Sequence, residues 1–326
     1  MNAVSLLFHD VYAADPRESG FASDAADRYK LSAADLDAQL RGIASVRDDM
    51  PLLATELTGG YRPAYLKGPG DPSQHPFLIT VDDGGVSYYT MLADRLEALG
   101  WRGHCFVSTD AIGSRGFLDA SQIRELDARG HVIGSHAASH PSRFSACSVD
   151  RMRQEWTRSR QVLEDLLGHE VVMASVPGGY YSRAVAHTAL DAGLSTLFTS
   201  EPITAIHDVQ GCSVLGRFTI RRGDGPDTSR RLVLPAPSAR LGAWAIWNAK
   251  GLVKPLLGPA YMRVADLVFG WSARRNLPCI AGGTVMCEEK AVLQGYVMAF
   301  FGATWRRWPA SVVATQVNSG TEGQVS

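Results

Sequence analysis

Thr80-Val81-Asp82-Asp83-Gly84-Gly85 places two adjacent carboxylates where a short apolar run ends. Successive side chains on an extended segment point to opposite sides, so one carboxylate can hold a metal while its neighbour faces a substrate. Asp-Asp-Gly-Gly is equally good turn chemistry at any strand end. Farther along, Gly134-Ser135-His136-Ala137-Ala138-Ser139-His140-Pro141 sets two histidines four apart. On a helical turn such a pair shares one face and can bind one cation, and the small residues between leave the approach open. A capping turn with two exposed histidines has the same spacing. The combination is what points to a metal centre: an Asp pair at one strand end and a His pair at another.

The elements that must position these residues follow from periodicity. From residue 75 to about 222, short apolar runs alternate with helical patterns, the rhythm of repeated β-α units. Strands are expected at 77–81, 104–107, 131–133, 171–175, 195–198 and 214–220. Between them, Val86, Tyr89, Ala93, Leu96 and Leu99 recur at helical spacing, and Asp119 with Gln122 forms a capping box for a helix through Arg129. Met152, Trp156, Leu163 and Leu167 mark the inner face of a long helix, with Arg153, Glu155 and Arg158 assigned to its outer face. A further helix is expected at about 183–192. Residues 1–74 supply a strand at 4–8 and a helix at 33–46. So many parallel units predict an α/β barrel, in which catalytic groups collect at the C-terminal ends of strands.

After residue 223 the pattern changes to Asp224-Gly225-Pro226-Asp227 and then to segments bearing Trp, Leu, Arg and Lys. The expected organisation is therefore a catalytic domain over 1–223, a helical extension over 224–310 with amphipathic helices at 241–254 and 261–269, and a disordered tail over 311–326. The tryptophans of the extension (Trp244, Trp247, Trp271, Trp305 and Trp308) suit a packing face or membrane-surface contact.

Composition narrows the function classes. The 326 residues are 45% hydrophobic and 20% charged, inside the globular range. Thirty-two Lys and Arg against 33 Asp and Glu give a net charge of −1, which argues against nucleic acid as a partner. Five cysteines without a CxxC pair argue against a disulfide framework or thiolate zinc site. The N-terminus has no basic n-region, so a cytoplasmic location is expected. The apolar stretch at 291–305 is shorter than the ~20 residues a spanning helix needs; it can lie on a membrane without crossing it.

Thr-Val-Asp-Asp-Gly, Ser-His-Ala-Ala-Ser-His-Pro and Val-Pro-Gly-Gly at 176–179, in this order and spacing, resemble the first three motifs of the polysaccharide deacetylase family (NodB-homology domain, carbohydrate esterase family 4). The resemblance covers about residues 4–222 and implies a distorted (β/α) barrel holding one divalent metal, zinc by expectation. It implies that Asp83, His136 and His140 bind the metal and that Asp82 is the general base. It places a backbone N–H near Gly178 in the oxyanion hole, with Gly179 and Tyr180 as further substrate-binding candidates.

Two departures stand out. The family's third motif usually has an Arg where Ser175 stands, orienting the base; Arg183 or Arg217 are the candidate substitutes. The family's late Leu-x-His is missing near 214–220, but Leu7-Phe8-His9-Asp10 supplies one at the other end of the chain. The first and last strands of a closed barrel are neighbours, and deacetylases of the poly-N-acetylglucosamine type have this permuted order, which makes His9 the candidate acid. A histidine capping a strand end is the alternative. His75, His104, His131, His169, His187 and His207 are read as structural.

The resemblance thus implies a metal-dependent hydrolase removing N-acetyl groups from sugars of a surface polysaccharide, exopolysaccharide or precursor; the N-terminus sets the expected action on the cytosolic side, with the inner face of the membrane as a candidate location. The alternatives are a same-fold amidohydrolase acting on a small non-sugar amide, and an inactive glycan-binding partner in polysaccharide assembly, which the missing Arg favours.

Overall fold

The computed structural model describes residues 1–58, 75–179, 181–235 and 237–257, all within one compact unit, Met1–Pro259. Its strands are β1 (Val4–Phe8), β2 (Val11–Tyr12), β3 (Leu31–Ser32), β4 (Phe77–Val81), β5 (His104–Val107), β6 (Val132–Ser135), β7 (Met173–Ser175), β8 (Thr196–Phe198), β9 (His207–Val209), β10 (Cys212–Leu215) and β11 (Phe218–Thr219). The helices are α1 (Asp24–Asp27), α2 (Ala33–Ala44), α3 (Thr55–Thr58), α4 (Ala93–Glu97), α5 (Ala120–Ala128), α6 (Val149–Leu167), α7 (Arg183–Asp191), α8 (Thr228–Val233) and α9 (Ser238–Leu257).

Nine strands form one curled sheet in the order β11-β1-β4-β5-β6-β7-β8-β10-β9. β1 and β4 are buried at every residue, the pattern of parallel strands covered on both faces, and they pair in register from Val4↔Phe77 to Phe8↔Val81. The expected strand at 214–220 is two strands: β10 pairs with β8, while β11 pairs with β1 through Leu6↔Phe218. Only Gly216 and Arg217 separate them. A Cβ on Gly216 would lie 2.4 Å from the Glu201 carbonyl oxygen, so only glycine lets the chain pass there. The sheet is thereby curled until its two sides meet in one run of chain, and the first strand does lie beside the last.

Side-chain caps set four of the described helix starts, those of α1, α2, α5 and α6. Asp119 and Gln122 make the expected capping box of α5, and Ser148 caps α6, which ends at Gly168 in left-handed conformation. The periodic segment after Val86 is a π-helical turn, Tyr88–Leu92, leading into α4. A second ladder, β2 with β3, brackets an excursion over residues 13–30 that periodicity did not reveal.

The boundary expected at 223 is not there. α8 packs against α2 and adds Leu232 and Val233 to the core, and Ala239 and Ala243 of α9 pack on it. Gln39 ties the junction, donating to the Gly225 carbonyl and accepting from the Ser229 N–H. The compact unit therefore extends past the expected domain end. The expected helix at 261–269, the apolar stretch at 291–305 and the tail at 311–326 lie outside the described residues. No described helix is long and apolar enough to cross a membrane.

Candidate active site

Asp82 and Asp83 follow β4 and are both buried. Asp83 has φ 78°, a left-handed conformation costing roughly 1–2 kcal/mol for a residue with a Cβ. It is held by Ser108 N–H donating to the Asp83 carbonyl at 3.3 Å and Leu118 N–H donating to that of Gly84 at 3.0 Å. This turn changes the geometry expected from strand alternation. Both carboxylates approach His136 Nε2, Asp83 Oδ1 at 3.4 Å and Asp82 Oδ2 at 3.9 Å.

His136 follows β6. Its Nδ1 donates to the Ser175 carbonyl at 3.0 Å, which fixes the tautomer and leaves Nε2 as the free donor atom for a cation. His140 Nε2 lies 3.4 Å from the same Asp83 oxygen. The two histidines are not on a helical turn, because Ala137 and His140 have φ 60° and 52°. A loop brings them together, and Glu155 holds it by accepting from Ala138 N–H (3.1 Å), Ser139 N–H (2.8 Å) and Ser139 Oγ (2.6 Å). Glu155 was assigned to the outer face of its helix; it is buried. The signal for it was its place one residue before Trp156, on the edge of the apolar stripe.

Among the described residues Asp83, His136 and His140 each offer a ligand atom within 4.8 Å of the others. Two imidazole nitrogens and one carboxylate oxygen, with the orienting Nδ1 bond already made, fit a divalent cation such as zinc and leave coordination positions open.

Asp82 is outside that trio and is occupied differently. Arg217, fully buried, grips it with Nη1 to Oδ1 at 2.7 Å and Nη2 to Oδ2 at 2.8 Å. The Ser175 hydroxyl donates to Asp82 Oδ1 at 2.8 Å and accepts from Arg217 Nη2 at 2.8 Å. Arg217 Nε donates to the Thr199 carbonyl. The guanidinium missing at Ser175 thus arrives from the bend between β10 and β11, and the serine fills the space beside it. Arg183 is exposed and takes no part in this network.

The electrostatics follow from these contacts. Burial pushes the Asp82 carboxyl up, but Arg217, then His136, more than offset it and hold the group below its ordinary range. Burial also opposes ionisation of Asp83, yet the hydrogen bonds of His136 and His140 keep its pKa well below the usual value. His136 is lowered by burial and raised more strongly by Asp82 and Asp83, with a net upward shift.

His9 closes β1 on this rim. Pairing of Phe8 with Val81, and the Asp82 N–H donating to the Phe8 carbonyl at 3.2 Å, set it level with Asp82; burial lowers its pKa, the charges of Asp83 and Asp82 oppose that, and the net shift is downward. Its ring packs on Tyr29 at 4.9 Å between centroids. Phe21, from the same 13–30 excursion, packs on His140 at 4.7 Å. Lys30 holds that excursion by donating to the carbonyls of Pro16, Ser19 and Phe21. Asp10 anchors it, accepting from Ser19 and Ser87 hydroxyls on Oδ1 at 2.6 and 3.0 Å. Phe21, Tyr29 and this anchor went unnoticed in the sequence because no apolar periodicity marks the segment.

In the third motif, Gly178 and Gly179 have φ 67° and 70°, and a Cβ on Gly178 would lie 2.3 Å from the Ser142 carbonyl oxygen. Gly179 N–H already donates to the Val176 carbonyl at 3.2 Å, which leaves it poorly placed as an oxyanion donor. Tyr180 lies outside the described residues. His104 is structural, accepting from Ala54 N–H and bonding the Ile79 carbonyl. His131 is held by Tyr88 and Glu97, and His169 meets Asp127.

Residues 70–197 match the family model described as polysaccharide deacetylase. A Bacillus subtilis (strain 168) protein named "Putative polysaccharide deacetylase YxkH" is 26% identical over 152 residues, 47% of this chain and 54% of that protein. A gellan lyase from Bacillus sp is 24% identical over 137 residues, which are 42% of this chain and 5% of the lyase. The chain thus spans about half the length of the first relative and a small part of the second. The Streptococcus pyogenes deacetylase PplD, solved with acetate, superposes with TM-score 0.58 at 20% identity, over 72% of this chain and 99% of that one. IcaB from Ammonifex degensii superposes with TM-score 0.55 at 19% identity, over 72% and 97%. The curled sheet is the fold they share, and within it residues 70–197 of this chain are similar to the polysaccharide deacetylase family.

Proposed function

We propose that the protein hydrolyses the N-acetyl groups of amino sugars in a surface polysaccharide, an exopolysaccharide or its precursor. The observation that carries this reading is the arrangement at one strand-end rim: the ligand atoms of Asp83, His136 and His140 lie within 4.8 Å of one another, and Asp82 beside them is gripped by Arg217. Asp83, His136 and His140 would hold a divalent cation, whose chemistry there would be Lewis-acid polarisation of the amide carbonyl and a lowered pKa for water.

The chain's own groups supply the rest. Asp82 accepts the proton of the attacking water, and Arg217 with Ser175 fixes the carboxylate so that little reorganisation is needed. As the new C–O bond forms, a backbone N–H at Gly178 meets the developing oxyanion. His9 donates a proton to the amide nitrogen as the C–N bond breaks, releasing acetate and the free amine. The inactive-binder alternative drew its support from the missing Arg, and Arg217 removes that support. Action at the inner face of a membrane belongs to the same proposal and is read by cell fractionation.

The test is acetate release from a panel of N-acetylated oligosaccharides by metal-loaded protein, with a small non-sugar acetamide as comparison. Release from the sugars, lost in Asp82→Asn, supports the reading. Release from the small amide alone transfers it to the non-sugar alternative.

A further inference from the structure

The Arg217 that locks Asp82 also lines a cleft of about 360 Å³ whose other side is built by α8 and α9. That volume falls in the ~300–1,000 Å³ range of small-molecule sites. Its walls join three chemistries. Trp247 of α9 offers an indole, half-buried, next to the third motif: a Cβ on Gly179 would lie 3.9 Å from its ring. Ser200, also on the cleft wall, approaches Gly179 from the same side. Arg221 and Arg231 bring cationic groups to the cleft. Arg221 stacks over Tyr29 at 5.8 Å, and Tyr29 packs on His9, so the cleft has one wall in contact with the acid's neighbour and the other beside the glycines of the oxyanion turn. Its single acidic lining residue, Asp224, uses a carboxylate oxygen to accept from Arg221 N–H at 2.8 Å.

We propose that this cleft is a substrate subsite that binds an anionic glycan: Trp247 stacks on a sugar ring, and Arg221 and Arg231 receive a carboxylate or phosphate carried by that unit or its neighbour. The inference rests on the deacetylase reading for its orientation and deepens it by naming a substrate class. An aromatic face takes the apolar side of a sugar ring, and a guanidinium pairs a planar carboxylate or a phosphate bidentately. The helices that build the cleft lie after residue 223, beyond the matched family residues 70–197. Substrate selection would thus draw on α8 and α9 together with the segment that carries Arg217 and Arg221.

The experiment is calorimetric binding by full-length, metal-loaded protein. The probes are a neutral chito-oligosaccharide, a hyaluronan tetrasaccharide carrying carboxylates, and UDP-N-acetylglucosamine carrying phosphates. Wild type is expected to bind one or both anionic probes about tenfold more tightly than the neutral one, and the anionic arm that wins identifies the charged group. Arg231→Gln should erase that preference while the neutral probe binds as before. Trp247→Ala should weaken all probes about tenfold, and Trp247→Phe should recover most of the loss, which controls for misfolding. Equal affinity of wild type for neutral and anionic probes overturns the proposal, as does unchanged binding in Trp247→Ala. Deacetylation of neutral glycans with no anionic preference sinks the subsite and leaves the proposed function standing; binding with no acetate release does the reverse.

Discussion

Replacing Arg217 with methionine keeps the aliphatic bulk and removes the charge. Five contacts disappear: two to Asp82 at 2.7 and 2.8 Å, one to the Ser175 hydroxyl at 2.8 Å, one to the Thr80 hydroxyl at 3.3 Å and one to the Thr199 carbonyl at 2.8 Å. Asp82 is then a carboxylate at 3% exposure without its cation. Breaking a buried pair by removing one partner costs about 3–5 kcal/mol. At about 2–4 °C per kcal/mol for a domain of this size, the melting temperature should fall by roughly 6–20 °C. Catalysis should fall by about 10²-fold or more, the worth of a positioned base. The double variant Asp82→Asn/Arg217→Met buries no charge and should recover part of the lost stability, a coupling that thermal melts measure directly. Arg183→Met, at an exposed position, should change neither melting nor acetate release. A melt of Arg217→Met within 2–3 °C of wild type, or a double variant no more stable than the single, would refute the account of Arg217 as the counter-charge of Asp82.

Three further outcomes follow from the site and the core. Asp10 is pushed up to about 6 by burial and by Asp83; a raised carboxyl stabilises the fold below about pH 4 and that contribution is lost as pH rises through 6, so metal-free Asp10→Asn should gain on the order of 3 kcal/mol relative to wild type at pH 8 and none at pH 4, read by denaturant titration at both. Glu155→Ala frees the loop between the two histidine ligands and should weaken metal affinity about 10–100-fold, the usual cost of losing an outer support, measured by competition with a chelator. Truncation after residue 228 strips Leu232 and Val233 from the core and removes the carbonyl of Val233 that accepts from Arg47; the shortened chain should fail to melt cooperatively.

What the sequence made legible was the chemistry carried by local spacing. Asp82-Asp83 and His136/His140 announce themselves because each pair sits within a few residues, at the ends of strands with strong apolar signatures. The adjacency of β1 and β11, which puts His9 on the rim, was legible because barrel closure demands it. The source of the guanidinium was narrowed to two arginines and no further: a contact between Asp82 and Arg217 depends on the chain passing close to the Glu201 carbonyl at Gly216, an approach between segments that local spacing does not reveal. The loop shape of the histidine motif was hidden for a similar reason. It depends on Glu155, a carboxylate that looks like a surface residue until Ala138 and Ser139 turn their N–H groups onto it. The domain end at 223 was read from a change in composition, whereas core membership of Leu232 and Val233 depends on α8 meeting α2, a contact between segments far apart in sequence.

The most direct test of the central claim pairs metal content with acetate release in one set of proteins: wild type, Asp82→Asn, and Asp83→Ala/His136→Ala. The account predicts one divalent cation per chain and acetate release for wild type, one cation but at least about 10²-fold slower release for Asp82→Asn, and neither cation nor release for the double variant. Stoichiometric cation retained by Asp83→Ala/His136→Ala, or loss of the cation from Asp82→Asn, would contradict the assignment of cation-binding trio and base.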